Sequence, residues 1–198
     1  MLTIVYHRPG VAREEELVRR LASLVSAARG ERVAVVRLGD PLPPDPGRLV
    51  LLMHMRGGHW LWLRRVAGSE PVIVPAPVTA SWIYGEALRL CGPGLCRVYL
   101  VYMRARRAAG LQASDLERVV AMLSGAGVEA EAVSVERPGA EPAGARAVAG
   151  SCIAVPMAMF RGGLHRSASL LASRLGCGCA EPMARSGFAA LASWLTLL

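Results

Sequence analysis

The chain has 198 residues, 53% of them hydrophobic, which is enough to build the core of one large α/β domain or two small ones. No apolar run is long enough to span a bilayer, and Arg8 and Arg13 interrupt the N-terminal stretch before a signal-peptide core could form, so a cytoplasmic protein without membrane segments is expected. The net charge of +8 comes from 23 basic residues that are all Arg, scattered rather than in a run; this excludes a basic nucleic-acid tail and favours carboxylate or phosphate ligands, which the planar guanidinium pairs bidentately.

In chain order, alternation and helical periodicity predict a strand over 2–6 and an amphipathic helix over 13–28 with acidic residues in its first turn. Strands over 32–38 and 49–55 follow, joined by the Pro/Gly-rich link 40–47. A helix over 59–67, a strand over 72–74 and a helix over 79–90 complete this part, and Gly92-Pro93-Gly94 ends it. The order then recurs: strand 97–103, helix 114–124, strand 128–135, a second Pro/Gly link 137–144, and strand 152–159. A helix over 165–175, a short strand over 176–179 and a helix over 183–197 close the chain.

Residues repeat as well as elements. Ile4-Val5-Tyr6-His7-Arg8 parallels Leu100-Val101-Tyr102-Met103-Arg104. Arg56-Gly57-Gly58 parallels Arg161-Gly162-Gly163, and Pro77 parallels Pro182, the latter two sharing one offset (162 − 57 = 105 and 182 − 77 = 105). A tandem duplication is the simplest source, with halves 1–95 and 96–198. Strands linked by helices in this order imply an α/β fold of two duplicated small parallel sheets flanked by helices and facing a common cleft. The two Pro/Gly links are solvated connectors or rims over that cleft.

The candidate chemistry lies at strand ends. His7 and His59 each follow a strand of the first half, and the carboxyl ends of parallel strands line the crevice of an open α/β sheet. A neutral imidazole accepts a proton or binds a divalent metal, so the pair is the candidate catalytic and metal-handling site. His54 lies between Met53 and Met55 and reads as structural. His165 occupies the second half's version of the site, but Met103 stands where its partner would be. Arg8, Arg56 and Arg161 fall beside the predicted site edges and are candidates for ligand carboxylates. Trp60, Trp62, Trp82 and Tyr84 are core or the wall of a flat ligand, and Asp40 and Asp45 are turn formers or rim acids. The five Cys (91, 96, 152, 177 and 179) are expected to be mostly reduced, and Cys177-Gly-Cys179 reads as a buried strand rather than a metal site. With no Lys in the chain, a Walker phosphate loop is excluded.

These features resemble the class II chelatases, in particular the sirohydrochlorin cobaltochelatase and ferrochelatase family. The Ile4–His7 strand stands where that family has a strand ending in His-Gly-Ser. Gly57-Gly58-His59 and Gly163-Leu164-His165 resemble its Gly-x-His loop, and Val155-Pro156 with Phe160 its Val-Pro-x-Phe-Leu strand. The resemblance covers nearly the whole chain and departs at Arg8-Pro9, which replaces Gly-Ser. It implies a lyase that inserts Co2+ or Fe2+, as substrate, into a polycarboxylate tetrapyrrole, with His7 and His59 handling the metal and no tightly bound cofactor. Arg8, Arg56, Arg161 and His165 would contact the macrocycle. The alternative is a carrier of the same fold that binds tetrapyrrole or metal without turnover. Neither a membrane nor a nucleic-acid partner is expected.

Overall fold

The computed structural model of the chain describes residues 1–7, 13–94, 96–146 and 150–198. The first sheet contains β1 (Leu2–Tyr6), β2 (Val33–Arg37), β3 (Arg48–Leu51) and β4 (Val72–Ile73), with helices α1 (Arg13–Arg29), α2 (Gly58–Ala67) and α3 (Ala76–Cys91). The second contains β5 (Cys96–Met103), β6 (Glu129–Val135), β7 (Ser151–Pro156) and β8 (Gly178–Cys179). Its helices are α4 (Ala109–Gly125), α5 (Gly163–Leu175), α6 (Met183–Ser186) and α7 (Phe188–Thr196). The strand orders are β2-β1-β3-β4 and β6-β5-β7-β8, and every pairing is parallel. The two sheets thus have one topology, as the duplicated sequence predicts.

Sheets covered on both faces need strands apolar on both faces. In β1, Leu2, Ile4 and Tyr6 enter a core shared with the second half, while Val5 enters a smaller cluster with Trp60 and Leu63 of α2. In β5, Val98 and Leu100 face the shared core, and Tyr99 and Val101 face Ala168 and Leu171 of α5. The shared core also takes Val18, Leu21 and Val25 of α1, Trp82 and Ile83 of α3, Leu116, Val119 and Leu123 of α4, and Leu191 and Leu195 of α7. Hence α1, α3, α4, α6 and α7 form a helical layer between the sheets, with α2 and α5 on the outer faces. No helix among the described residues is long and apolar enough to cross a membrane.

Several boundaries differ from the sequence expectation. The strand expected over 49–55 ends at Leu51, and the one expected over 152–159 ends at Pro156. In both halves the chain leaves the sheet through the same tight turn: Met53 N–H bonds Leu51 O at 2.8 Å, and Ala158 N–H bonds Pro156 O at 2.7 Å. His54 is therefore on a turn and not in a strand. Helix α3 begins at Ala76, three residues early, because prolines are tolerated in a first turn.

The single helix expected over 183–197 is broken at Gly187 into α6 and α7. The break coincides with close packing at Gly187. A Cβ on Gly187 would lie 2.7 Å from Met183 Cγ and 2.9 Å from Trp82 Cδ1. The indole N–H of Trp82 also donates to Ser186 Oγ at 2.9 Å. Gly187→Ala is expected to cost about 1–3 kcal/mol, the usual penalty for overpacking a filled core. Urea midpoints of the two proteins measure it, and equal midpoints would show that the contact yields freely.

The expectation of reduced cysteines is corrected. Cys91 bonds Cys96 across the α3–β5 junction, and Cys152 bonds Cys177. Parallel pairing of Ile153 with Gly178 sets Cys152 opposite Cys177 with their Cα atoms 4.8 Å apart, inside the range a disulfide bridges. Cys179 is a free thiol, so Cys177-Gly-Cys179 does not present two thiolates to a metal.

Candidate functional site

The strand order places the site. From β1 the chain passes to β2 on one side, then crosses back to β3 on the other, so the connections leaving β1 and β3 diverge. Ligands of open α/β sheets bind at this switch point, outside the carboxyl ends of the strands. His7 directly follows β1. Beyond β3, the turn at residues 52–58 leads into α2, with Gly57 extended as its N-cap (φ −148°, ψ −162°) and accepting the Leu61 N–H at 3.1 Å. His59 is the second residue of that helix.

The two imidazoles meet there. Their ring centroids are 4.9 Å apart and their planes tilted by 35°. His7 is exposed and His59 half-buried, so the pair is accessible from one side. Burial, followed by the charge of His7, pulls the His59 pKa below the ordinary imidazole range, which keeps His59 neutral near pH 7. Among the described residues no group of three or more His, Cys, Asp or Glu side chains could hold a metal ion. Two imidazoles alone leave an ion's remaining positions to water or another ligand, an arrangement suited to handing an ion on.

The second half has the same switch point, between β5 and β7, and it is furnished differently. Met103 ends β5, 43% exposed, and the half-buried His165 lies in the first turn of α5 with its pKa lowered, chiefly by burial. Among the described residues the contact of two imidazoles is confined to His7 and His59. The link 137–144 also lies over the start of α5. Gly139 N–H reaches Gly163 O at 2.8 Å and Ser167 Oγ at 3.0 Å. Pro138 sits so close that a Cβ on Gly163 would be 2.3 Å from its Cβ. Gly58, the repeat equivalent of Gly163, has no atom of a described residue within 4 Å of such a Cβ. The start of α5 is covered where, among the described residues, nothing covers the start of α2.

The arginines make internal pairs. Arg56 binds Asp115 of α4 bidentately, through Nη2 to Oδ1 at 2.7 Å and Nε to Oδ2 at 3.0 Å. Arg161 binds Glu181 in the same fashion, and its backbone N–H donates to Glu14 of α1. A ligand carboxylate at either guanidinium would share it with a protein carboxylate. Arg8 lies outside the described residues.

The other candidates resolve simply. His54 is 3% exposed, donates or accepts through Nδ1 with Thr79 Oγ1 at 3.2 Å, and stacks on Trp82. Asp45 accepts the Gly47 N–H at 3.3 Å, the turn role expected of it. Trp60 and Trp82 are buried, whereas Trp62 and Tyr84 are 39% and 38% exposed. A cavity of about 810 Å3 opens beside Arg56, walled by Trp60, the 70–77 segment and α4; neither His7 nor His59 lines it.

Asp115 and Glu14 were missed in the sequence, yet each carried a signal. Asp115 shares the buried stripe of α4 with Gln112, Leu116, Val119 and Leu123, and Glu14 that of α1 with Val18, Leu21 and Val25. A carboxylate on an apolar stripe demands a partner. Comparison of the chain with family models, curated proteins and solved structures returned no match.

Proposed function

We propose that this chain inserts a divalent metal ion, Co2+ or Fe2+, into a sirohydrochlorin-type tetrapyrrole. The observation that carries the reading is the His7–His59 ring contact at the switch point of the first sheet. The resemblance of the motifs around both residues to the class II chelatases supports the substrate class. The charge of +8 favours a polycarboxylate macrocycle over a cationic ligand.

Insertion replaces two pyrrole N–H protons by one M2+, so the ion must lose water and two protons must leave. One neutral imidazole ligates the incoming ion, and its neighbour accepts the two ring-nitrogen protons in turn, passing each to solvent. His59, held neutral by burial, suits either task; His7, exposed beside it, faces the side from which ions and protons exchange. Imidazole ligands accept both Co2+ and Fe2+, so the metal is read from the assay.

The test follows the visible spectrum of sirohydrochlorin with Co2+ or Fe2+, under anaerobic conditions, with and without catalytic amounts of protein. The expected result is multiple-turnover conversion faster than the protein-free control. A spectral shift that stops at one equivalent of macrocycle per chain would replace the enzyme by a carrier. Equal rates and no shift would remove tetrapyrroles from consideration.

A further inference from the structure

We infer that Asp115, contributed by the second half, is a positioning residue for the His7–His59 pair of the first. The inference rests on reading those two imidazoles as the working site. Its core is a contact between segments 59 residues apart. The Asp115 carboxylate accepts the Arg56 backbone N–H through Oδ2 at 2.7 Å, and the same carboxylate grips the Arg56 guanidinium through both oxygens. Main chain and side chain of one residue are thereby fixed by a single group that is only 7% exposed. Arg56 begins the Arg56-Gly57-Gly58 turn that delivers His59.

That turn needs an external anchor. Gly57 and Gly58 have no side chains to pack, and glycine has the widest backbone freedom of any residue. Gly57 is extended at the helix start with no side-chain cap, so α2 itself does little to hold the entry. An ionic bidentate pair reinforced by a backbone bond restricts the turn far more than a neutral hydrogen bond would.

The same face of α4 clamps the opposing loop. Gln112, three residues before Asp115 and 5% exposed, accepts the Ala105 N–H at 2.8 Å and donates to Met103 O at 2.9 Å. A Cβ on Gly57 would lie 3.8 Å from Ala105 Cβ, so the loops leaving β3 and β5 run side by side. One helix of the second half thus holds a loop from each half.

The device recurs across the duplication. Arg161, the repeat equivalent of Arg56, donates its backbone N–H to Glu14 Oε2 at 2.6 Å, and Glu14 comes from α1, the first helix of the opposite half. There the functions are divided: the Arg161 guanidinium goes to Glu181, and the second oxygen of Glu14 takes Arg185 Nε at 3.1 Å. Each Arg-Gly-Gly turn is anchored by a buried carboxylate of the other half. Of the two turns, only the one that delivers His59 has backbone and guanidinium on one carboxylate. The second half, whose own switch point lacks the pair, thereby serves as the platform that sets the pair's geometry.

The test uses the full chain with Asp115→Asn, Asp115→Ala and Glu14→Gln, reading the inter-ring NOE between His7 and His59 and the affinity for Co2+ alone. Asp115→Asn keeps an acceptor but loses the charge; it should weaken the NOE and lower Co2+ affinity about tenfold, the low end for groups that orient metal-binding imidazoles. Asp115→Ala should lose more of both. Glu14→Gln should reduce stability and leave both readouts at wild-type values. Folded Asp115→Asn with an unchanged NOE and Co2+ affinity would overturn the inference. So would Glu14→Gln perturbing the rings as strongly, since that is general loosening. The NOE needs neither metal nor turnover, so a wild-type chain inactive toward tetrapyrroles would still decide the positioning question separately from the proposed reaction.

Discussion

For the proposed metal insertion, His7→Ala is expected to lower turnover by about 10²–10⁴-fold, the range that removal of a positioned proton-transfer group produces. The fold should survive, because His7 is exposed at the end of β1 and side chains so placed contribute within about 0.5 kcal/mol. His59→Ala should lose a similar factor, and the double variant little more, since members of a cooperating pair do not add. His165→Ala should be mild: the strand end of its half carries Met103 in place of a second imidazole, and the adjoining helix start is already covered by Pro138 and Gly139. Because burial depresses the His59 pKa, the acid limb governed by His59 should lie at lower pH than an ordinary imidazole gives. Insertion rates of the three single variants beside their far-ultraviolet circular dichroism check the claim. Full turnover in folded His7→Ala would exclude the two-imidazole mechanism.

The second large effect is a loss of stability in acid, centred on His54. This ring is buried, stacked 5.1 Å from Trp82, and its Nε2 makes no well-formed hydrogen bond among the described residues. Burial pulls its pKa from 6.5 to about 4, the nearby Ala158 carbonyl opposing the shift. The sign follows directly. Between these values the unfolded chain binds a proton at His54 that the folded chain refuses, so stability is intact above pH 6.5 and declines as pH falls toward 4. At 1.36 kcal/mol per unit, roughly 3 kcal/mol is lost across the window and roughly 2 by pH 5. His59 and His165 are shifted the same way and add to the trend. His54→Gln keeps a polar group for Thr79 but cannot titrate. It should be less stable than wild type at pH 7, with about 2 kcal/mol less difference between pH 7 and pH 5. Urea unfolding at the two pH values provides the comparison, and identical pH dependence in both proteins would refute it.

Both expectations depend on how much of this molecule is local. The duplication, the alternation of strands and helices, and the all-parallel sheets were readable in the chain, because strand and helix periodicities are properties of short windows. The placement of His7 and His59 at adjacent strand ends followed from the same patterns together with the crevice rule. A tight chain reversal after β3 and after β7 was not readable, since Leu51-Leu52-Met53 and Pro156-Met157-Ala158 continue an apolar run that strand and turn can equally use. Helix 183–197 satisfied its own periodicity, and its break at Gly187 falls where the indole of Trp82, 104 residues away, bonds Ser186.

What tertiary structure alone decided is which distant groups meet. Cys152 finds Cys177 because β7 and β8 pair in one register. Arg56 and Arg161, read from their places beside the predicted site edges as candidates for ligand carboxylates, engage Asp115 and Glu181, with Asp115 reaching across the halves. Pro138 and Gly139 fold over one helix start, while no described residue covers the equivalent Gly58. Side-chain type and spacing determine where a chain bends and which face is apolar. The partner of a charged group depends on the three-dimensional path of the whole chain, because its interaction acts over a few ångströms of space and is blind to separation along the sequence.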